Sequence, residues 1–418
     1  MKIWIFNQYA ITPDQAGGTR HYDLSRKLIE RGHQVKIFAG SIHYANLTET
    51  KNYGDRKFLS EIIHGVEFVW IKTPPYSKSN WRRVLNMLSF ARNVLRVAIS
   101  MKNEMPDIII GSSVHLFAVQ SAFRVAKKFD IPFLMEVRDL WPQVLIDLGH
   151  SKFHPFVIWL RAIEKSMYKN AKRIITLLPA SIDYLVSKGG DRKKIIWIPN
   201  GIDLARFENE PDQLPNNENF TIIYTGGMSN ANGIDAVLLA ADILRKKNID
   251  VEFKLIGDGT EKENLIRMKE EMNLNNISFP DAVAKDEVMK LLRTADALLF
   301  MFEDSPVFRY GISPNKLFDY MAASRPIIFS CNTPWNPVEE SKSGFSVPAR
   351  TPEKLAEAIE QLMKMSLVDR IQMGERAKDY VRKNHSMDLL ADKLEMVLVD
   401  VKNSFSPPAC KAKHKITK

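Results

Sequence analysis

Cysteine is almost absent from this chain: of 418 residues, only Cys331 and Cys410 carry a thiol. Two such positions build no disulfide framework and their surroundings show no metal-ligand spacing, which fits a reducing cytoplasm. Long hydrophobic runs are missing too. Nothing approaches about 18 consecutive apolar residues, so no spanning helix is expected. The opening MKIWIFNQYA turns polar too early for a secretory leader. No Asp-X-Asp occurs, so the usual carboxylate pair for a divalent metal is absent. No G-x-G-x-x-G opens the first helix of either half, which ranks a nicotinamide-linked dehydrogenase low. Zinc-finger spacing and basic stretches interleaved with aromatics are also lacking, so no nucleic-acid partner is expected.

Positive charge, by contrast, is plentiful, at +10 net. With nucleic acid ranked low, an anionic membrane surface or a phosphate-bearing substrate is the expected partner. At roughly 100–200 residues per domain the length predicts two or three domains, and 45% hydrophobic content lets each bury a core.

Short apolar runs at Ile3–Phe6, Val35–Phe38, Phe68–Ile71, Ile108–Ile110, Phe133–Val137, Ile174–Leu177 and Ile195–Ile198 predict strands separated by helical patterns. The alternation breaks over 204–219, a polar stretch with two prolines that reads as a linker. It restarts with strands at Ile222–Tyr224, Phe253–Ile256, Ile277–Phe279, Ala297–Phe302 and Pro326–Ser330. The expected fold is α/β, two doubly wound Rossmann-like domains (1–203 and 220–385) built from parallel βαβ units and facing across a crevice. A helix at 386–402 is expected to return to the first domain. The basic tail, 403–418, lacks core-forming residues and is expected to be disordered.

Ligands in such sheets bind beyond the carboxyl ends of the strands, so strand-to-helix loops are where chemistry is sought. Gly17 and Gly18 stand between the first strand and first helix, where glycine lets a backbone approach phosphate; a plain tight turn is the alternative. Tyr224-Thr225-Gly226-Gly227 and Ile256-Gly257-Asp258-Gly259 repeat the arrangement. Three glycine loops at equivalent strand ends favour a nucleotide crevice over three unrelated turns.

The segment Ser305–Pro326, SPVFRYGISPNKLFDYMAASRP, is the most informative. Pro314 is suited to the first turn of a helix, with Asn315 and Lys316 near its positive end. A pyrophosphate there would meet backbone N–H groups and the cations Arg309 or Lys316. Asp319, three residues on, is placed to accept both hydroxyls of a ribose; a surface Lys–Asp pair is the plainer alternative. His115, after the strand ending Ile110-Gly111-Ser112-Ser113, either hydrogen-bonds a substrate or is structural. Glu136, Arg138 and Asp139 end another strand, to grip a polar acceptor or to form an ion-pair network around Trp141. In Asn80–Asn103, Trp81, Val84, Leu85, Leu88, Leu95 and Ile99 recur at near-helical spacing among Arg82, Arg83, Arg92 and Arg96. Such a helix either lies on an anionic bilayer or buries one face and leaves its arginines in water.

Pro314-Asn315-Lys316-Leu317-Phe318-Asp319-Tyr320-Met321-Ala322-Ala323 resembles the donor-binding helix of glycosyltransferase family 4. So do Gly32-His33 with Val35, Ile198-Pro199-Asn200-Gly201-Ile202-Asp203, Ile256-Gly257-Asp258-Gly259, and Gly344-Phe345 with Val347-Pro348, in family order from the first strand to about residue 400. Glu136-Val137-Arg138-Asp139-Leu140-Trp141-Pro142 further resembles a bacterial branch that builds surface polysaccharides, including N-acetylfucosaminyl transferases.

The resemblance implies a GT-B fold and sugar transfer with retention. The donor, a nucleotide sugar and more specifically UDP-linked, would be held by Gly17, Gly18, Asn200, Gly226, Gly227, Pro314, Asn315 and Asp319. His115, Arg309 and Lys316 would act in catalysis, and Glu136, Arg138 and Asp139 on the acceptor side. Trp81, Arg82 and Arg83 would touch a membrane carrying a polyprenyl diphosphate-linked saccharide, at its cytoplasmic face. No cofactor or metal is expected. Three departures stand out. Gly311 replaces a glutamate eight residues before the ribose-binding acid, that acid is Asp319 instead of glutamate, and Gly227 and Asn232 replace an arginine and a lysine. Two other functions share the architecture: a UDP-sugar epimerase and a non-catalytic subunit of a polysaccharide assembly complex.

Overall fold

The computed structural model describes residues 1–15, 17–44, 47–76, 81–207, 215 and 218–405. Asn80, most of the 204–219 linker and the tail beyond Phe405, Cys410 included, lie outside the described residues. The first eight strands are β1 (Lys2–Phe6), β2 (Gln34–Gly40), β3 (Phe58–Ile63), β4 (Val66–Ile71), β5 (Ile108–Ser113), β6 (Phe133–Val137), β7 (Arg173–Thr176) and β8 (Ile195–Trp197). They form one sheet in the order β3-β4-β2-β1-β5-β6-β7-β8. The remaining six are β9 (Phe220–Thr225), β10 (Val251–Ile256), β11 (Ile277–Ser278), β12 (Ala297–Met301), β13 (Ile327–Ser330) and β14 (Gly344–Val347). Their order is β11-β10-β9-β12-β13-β14.

Both sheets are covered on both faces, which is why their strands read as continuous apolar runs. In β1, Trp4 and Phe6 join the core beneath helices Trp81–Ser100, Leu116–Phe129 and Pro155–Asn170. Ile3 and Ile5, on the opposite face, join the core beneath helices Arg20–Glu30 and Met387–Ser404. The second sheet divides likewise, Ile222 and Tyr224 to one face and Ile223 to the other.

The expectation of purely parallel pairing needs correcting at the edge. β3 runs antiparallel to β4, joined through His64 and Gly65, both at positive φ. Its largely exposed FLSEII lacks the apolar run that marked the other strands. β14 also escaped notice, because GFSV is short and half-exposed. Over the linker, Leu204–Arg206 form a short 3-10 turn.

The chain crosses between domains twice. The last helix, Met387–Ser404, lies on the first sheet and buries Met387, Leu390, Leu394, Val397, Leu398 and Val401 there. At about 1.5–3 kcal/mol for each large apolar side chain, this stripe contributes roughly 10 kcal/mol or more before entropy. The two crossings touch: Ile202 N–H donates to His385 O at 2.9 Å and Met387 N–H to Ile202 O at 2.9 Å.

At the carboxyl ends of β1, β5 and β6 the first sheet is pinned by a buried polar cluster. Glu136 accepts from Arg20 Nε at 3.2 Å, His21 Nε2 at 3.0 Å and Ser112 Oγ at 2.9 Å. Arg20 also donates to the carbonyls of Ile198 (2.9 Å) and Pro199. Burial alone would raise the Glu136 carboxyl, but Arg20 and His21 hold it well below the usual carboxylate range. A depressed folded value means that this contribution is full above about pH 4.5, the ordinary value of a free glutamate, and is lost as pH falls below it. Glu136→Ala leaves Arg20 buried without its anion and is expected to cost about 3–5 kcal/mol in denaturant unfolding. A loss below about 1 kcal/mol would contradict this role.

Candidate functional site

Each sheet has one place where the strand order reverses, β1 beside β5 and β9 beside β12. Crevices open outside the carboxyl ends of strands at such points, and here the two openings face each other. The loops after β1, β5, β6, β8, β9 and β12 supply the candidate site.

Several contacts among the described residues cross it. Asn200 N–H donates to Ser313 Oγ at 2.8 Å and Asn200 Nδ2 to Ser313 O at 2.5 Å. Ala180 N–H donates to Tyr310 O at 3.0 Å. Arg309 Nη2 donates to the nearly buried carboxylate of Asp147 at 2.8 Å. A Cβ added to Gly18 would lie 2.0 Å from Asn315 Nδ2, so the two domains approach closely there and a larger residue would displace the Asn315 side chain. Gly311 has a similar reason. Its φ is +97° and a Cβ would come 2.6 Å from Pro179 Cδ, so no glutamate can occupy 311 in this arrangement.

Between these contacts lies a cleft of about 210 Å³, lined from both domains, among others by Arg138, Asp139, Leu140, Val144, Asn200, Phe302, Phe308, Gly311, Ile312 and Pro314. Asn315–Ala322 form a helix beside it. Pro314 stands at the cap of that helix, extended at φ −79° and ψ 134°, and not in its first turn. Lys316 turns back beneath β9. Its Nζ lies 3.1 Å from Tyr224 Oη and over the rings of Tyr224 (4.5 Å), Phe302 (5.1 Å) and Phe300 (5.2 Å). Among the described residues it forms no ion pair, with Asp319 or any other carboxylate. Burial pushes its ammonium down to about 7.

The same nitrogen sits 3.7 Å from where a Gly226 Cβ would be, so Lys316 approaches the glycine turn from behind. Gly226 has φ +140°, and Gly227 O accepts from Tyr224 Oη at 2.6 Å. Asn232 caps its own turn through Ser229 Oγ at 3.0 Å. Asp319 is half-buried one turn along the helix.

On the first domain the expected residues divide. His115 is buried and caps the Leu116–Phe129 helix, Nδ1 accepting from Ala118 N–H at 3.3 Å and Nε2 lying 2.7 Å from Gln8 Oε1. Burial, with Arg83 nearby, pushes it down to about 3, so it stays neutral. Glu136 is committed to the buried cluster described above. Arg138 and Asp139 remain in the cleft wall, and Arg138 forms no ion pair among the described residues. Gly17, at φ +129°, packs against Tyr44. Trp81 and Arg82 are exposed, the guanidinium 5.7 Å from the indole ring. Arg83 points elsewhere. It is half-buried with its Nε shielded from solvent, and its charge acts on His115 and Tyr76, so a membrane-facing position does not hold for it.

Sequence reasoning missed the aromatic walls around Lys316, and Ser313, Asp147 and Pro179. Tyr224 and Phe302 sit at the ends of strands beside the glycine turns, which is a usable signal. Asp147 ends the short helix Gln143–Asp147 and Pro179 lies in a loop, and the role of each depends on the other domain.

Residues 16–201 match the family described as glycosyl transferase 4-like domain, and residues 219–365 the family of glycosyl transferases group 1. Among curated proteins, the chain is 24% identical over 339 residues to a protein named as colanic acid biosynthesis glycosyl transferase WcaI of Escherichia coli (strain K12), covering 77% of this chain and 81% of that one. Among solved structures, sucrose-phosphate synthase from Thermosynechococcus elongatus superposes with TM-score 0.75 at 15% identity, over 97% of this chain and all of that one. HepE of Anabaena, in complex with UDP and glucose, superposes with TM-score 0.67 at 15% identity, over 96% of this chain and 99% of that one. Two matched halves in this order, two doubly wound sheets and a crevice between their switch points place the chain among the GT-B glycosyltransferases.

Proposed function

We propose that this glycosyltransferase moves an N-acetylated deoxyhexose from UDP to a polyprenyl diphosphate-linked saccharide during bacterial surface polysaccharide synthesis, with retention and without a metal. The observation that carries the donor half is Lys316, an ammonium held among aromatic rings at a glycine turn with no carboxylate beside it. Such a cation lacks its anion, and a diphosphate is an anion of the right kind. The start of the Asn315–Ala322 helix adds backbone N–H groups on the same side.

In this scheme Lys316 and the helix terminus take up the charge of the departing diphosphate, which itself deprotonates the acceptor hydroxyl. Asp319 accepts the ribose hydroxyls. Arg309, tied to Asp147, holds the domains closed around the donor. His115 fixes Gln8 and the following helix and does not act as a base. Arg138 and Asp139 meet the acceptor. HepE with UDP and the WcaI relative support the choice of UDP and of a polysaccharide product. The packing of Gly311 on Pro179 supplies a structural reason for the missing glutamate, which weakens the non-catalytic alternative.

The acceptor half rests on the surface of the first domain. Trp81, Leu85, Leu148, Phe153 and Trp159 are exposed there, with Lys152 Nζ 5.0 Å from the Phe153 ring. No helix among the described residues is long and apolar enough to cross a membrane. A peripheral position at the inner face of the membrane suits this surface.

Transfer from UDP-sugars to a polyprenyl diphosphate saccharide, assayed in EDTA, is expected to proceed with retention and to fall at least tenfold in Asp319→Ala. Activity that returns only with magnesium, or epimerisation of the donor without acceptor, would overturn the proposal. Trp81→Ser combined with Arg82→Glu is expected to reduce cosedimentation with anionic vesicles several-fold; unchanged binding would remove that helix from the membrane contact.

A further inference from the structure

The cleft beyond the diphosphate position has walls of an unusual kind for a sugar site. Leu140 and Val144 line it from the first domain, and Phe302, Phe308 and Ile312 from the second. The position where relatives carry a carboxylate is Gly311, shut against Pro179. Arg138, Asp139, Asp147 and Ser313 also line it, and one uncharged polar atom in the wall is unmatched. Asn200 is 4% exposed, its N–H and Nδ2 are spent on Ser313, and its Oδ1 is buried with no hydrogen-bond partner. A buried lone acceptor favours a ligand that brings a donor. The volume, about 210 Å³, is below the roughly 300–1,000 Å³ of sites that enclose a whole ligand. It therefore takes one part of the donor, and Pro314, shared by the cleft and the start of the diphosphate helix, makes that part the sugar.

We propose that this cleft is an acetamido subsite, in which Val144 and its apolar neighbours enclose the acetyl methyl of the donor sugar and Asn200 Oδ1 accepts its amide N–H. The proposal rests on the donor reading above and adds the residues that select the sugar. A UDP-hexose bearing a hydroxyl in place of the acetamido group leaves the apolar wall against a polar group and discards the methyl contact. Differences of this size in an apolar pocket correspond to roughly 10–200-fold in discrimination.

Calorimetric titration of the full chain with UDP, UDP-glucose, UDP-N-acetylglucosamine and UDP-6-deoxyglucose separates the possibilities. UDP-N-acetylglucosamine is expected to bind at least tenfold more tightly than UDP-glucose. Val144→Asn is expected to reduce that ratio to threefold or less while UDP still binds. Equal affinities for the N-acetylated and plain sugars with UDP bound, or a preference for the 6-deoxy sugar alone, would overturn the acetamido assignment and leave the donor reading standing. A ratio unchanged in Val144→Asn would overturn the part given to Val144. Failure of UDP itself to bind would overturn both.

Discussion

Everything in the crevice depends on the double crossing of the backbone at Asn200–Ile202 and His385–Met387. There the two segments exchange hydrogen bonds, and His385 Nδ1 lies 3.2 Å from Asn200 O. Phe318 stacks on the His385 ring at 4.5 Å, with Trp335 at 5.5 Å and Tyr380 at 5.8 Å. Burial pushes this histidine down to about 4, so the junction carries no charge of its own. Gly201 is obligatory, because a Cβ there would lie 2.1 Å from His385 O. From this knot Asn200 reaches Ser313 and Phe318 anchors the helix that carries Lys316 and Asp319. The switch points of two separate sheets are thereby held face to face.

A buried ion pair on one side of the crevice and a half-buried lysine on the other illustrate different uses of the same physics. Arg20 and Glu136 are paired and further hydrogen-bonded, so their desolvation is largely offset and they serve to hold strand ends together. Lys316 is half-buried and has only a phenol and aromatic faces for partners among the described residues. A site satisfied in the free protein has little to gain from an anion. One that is not gains both Coulomb energy and a restored proton.

The alternation of apolar runs made both sheets readable, because strands covered on two faces need no polar positions. The edge strand β3 was not readable for the converse reason: its exposed residues follow no such rule. The positions of Gly226 at a strand end and of Asn315, Lys316 and Asp319 on the Asn315–Ala322 helix were legible from the turn and helix-start residues around them. What could not be read were contacts that exist only after the domains meet. Gly311 looked like a lost carboxylate until Pro179 stood against it, and Glu136 looked like an acceptor ligand until Arg20 and His21 closed on it. Arg83 shared its helix and spacing with Arg82, and only packing turned one inward and the other out.

In the proposed function the crevice holds a nucleoside diphosphate sugar against Lys316. A lysine poised at about 7 must gain a proton when a diphosphate arrives at pH 8, because the nearby anion raises its value again. Calorimetry of UDP-glucose binding at pH 8, in buffers of different ionisation enthalpy, measures that proton directly. The account predicts uptake of close to one proton, absent in Lys316→Met, together with weaker binding by that variant. Binding with no proton uptake, or the same uptake and affinity in Lys316→Met, would contradict it.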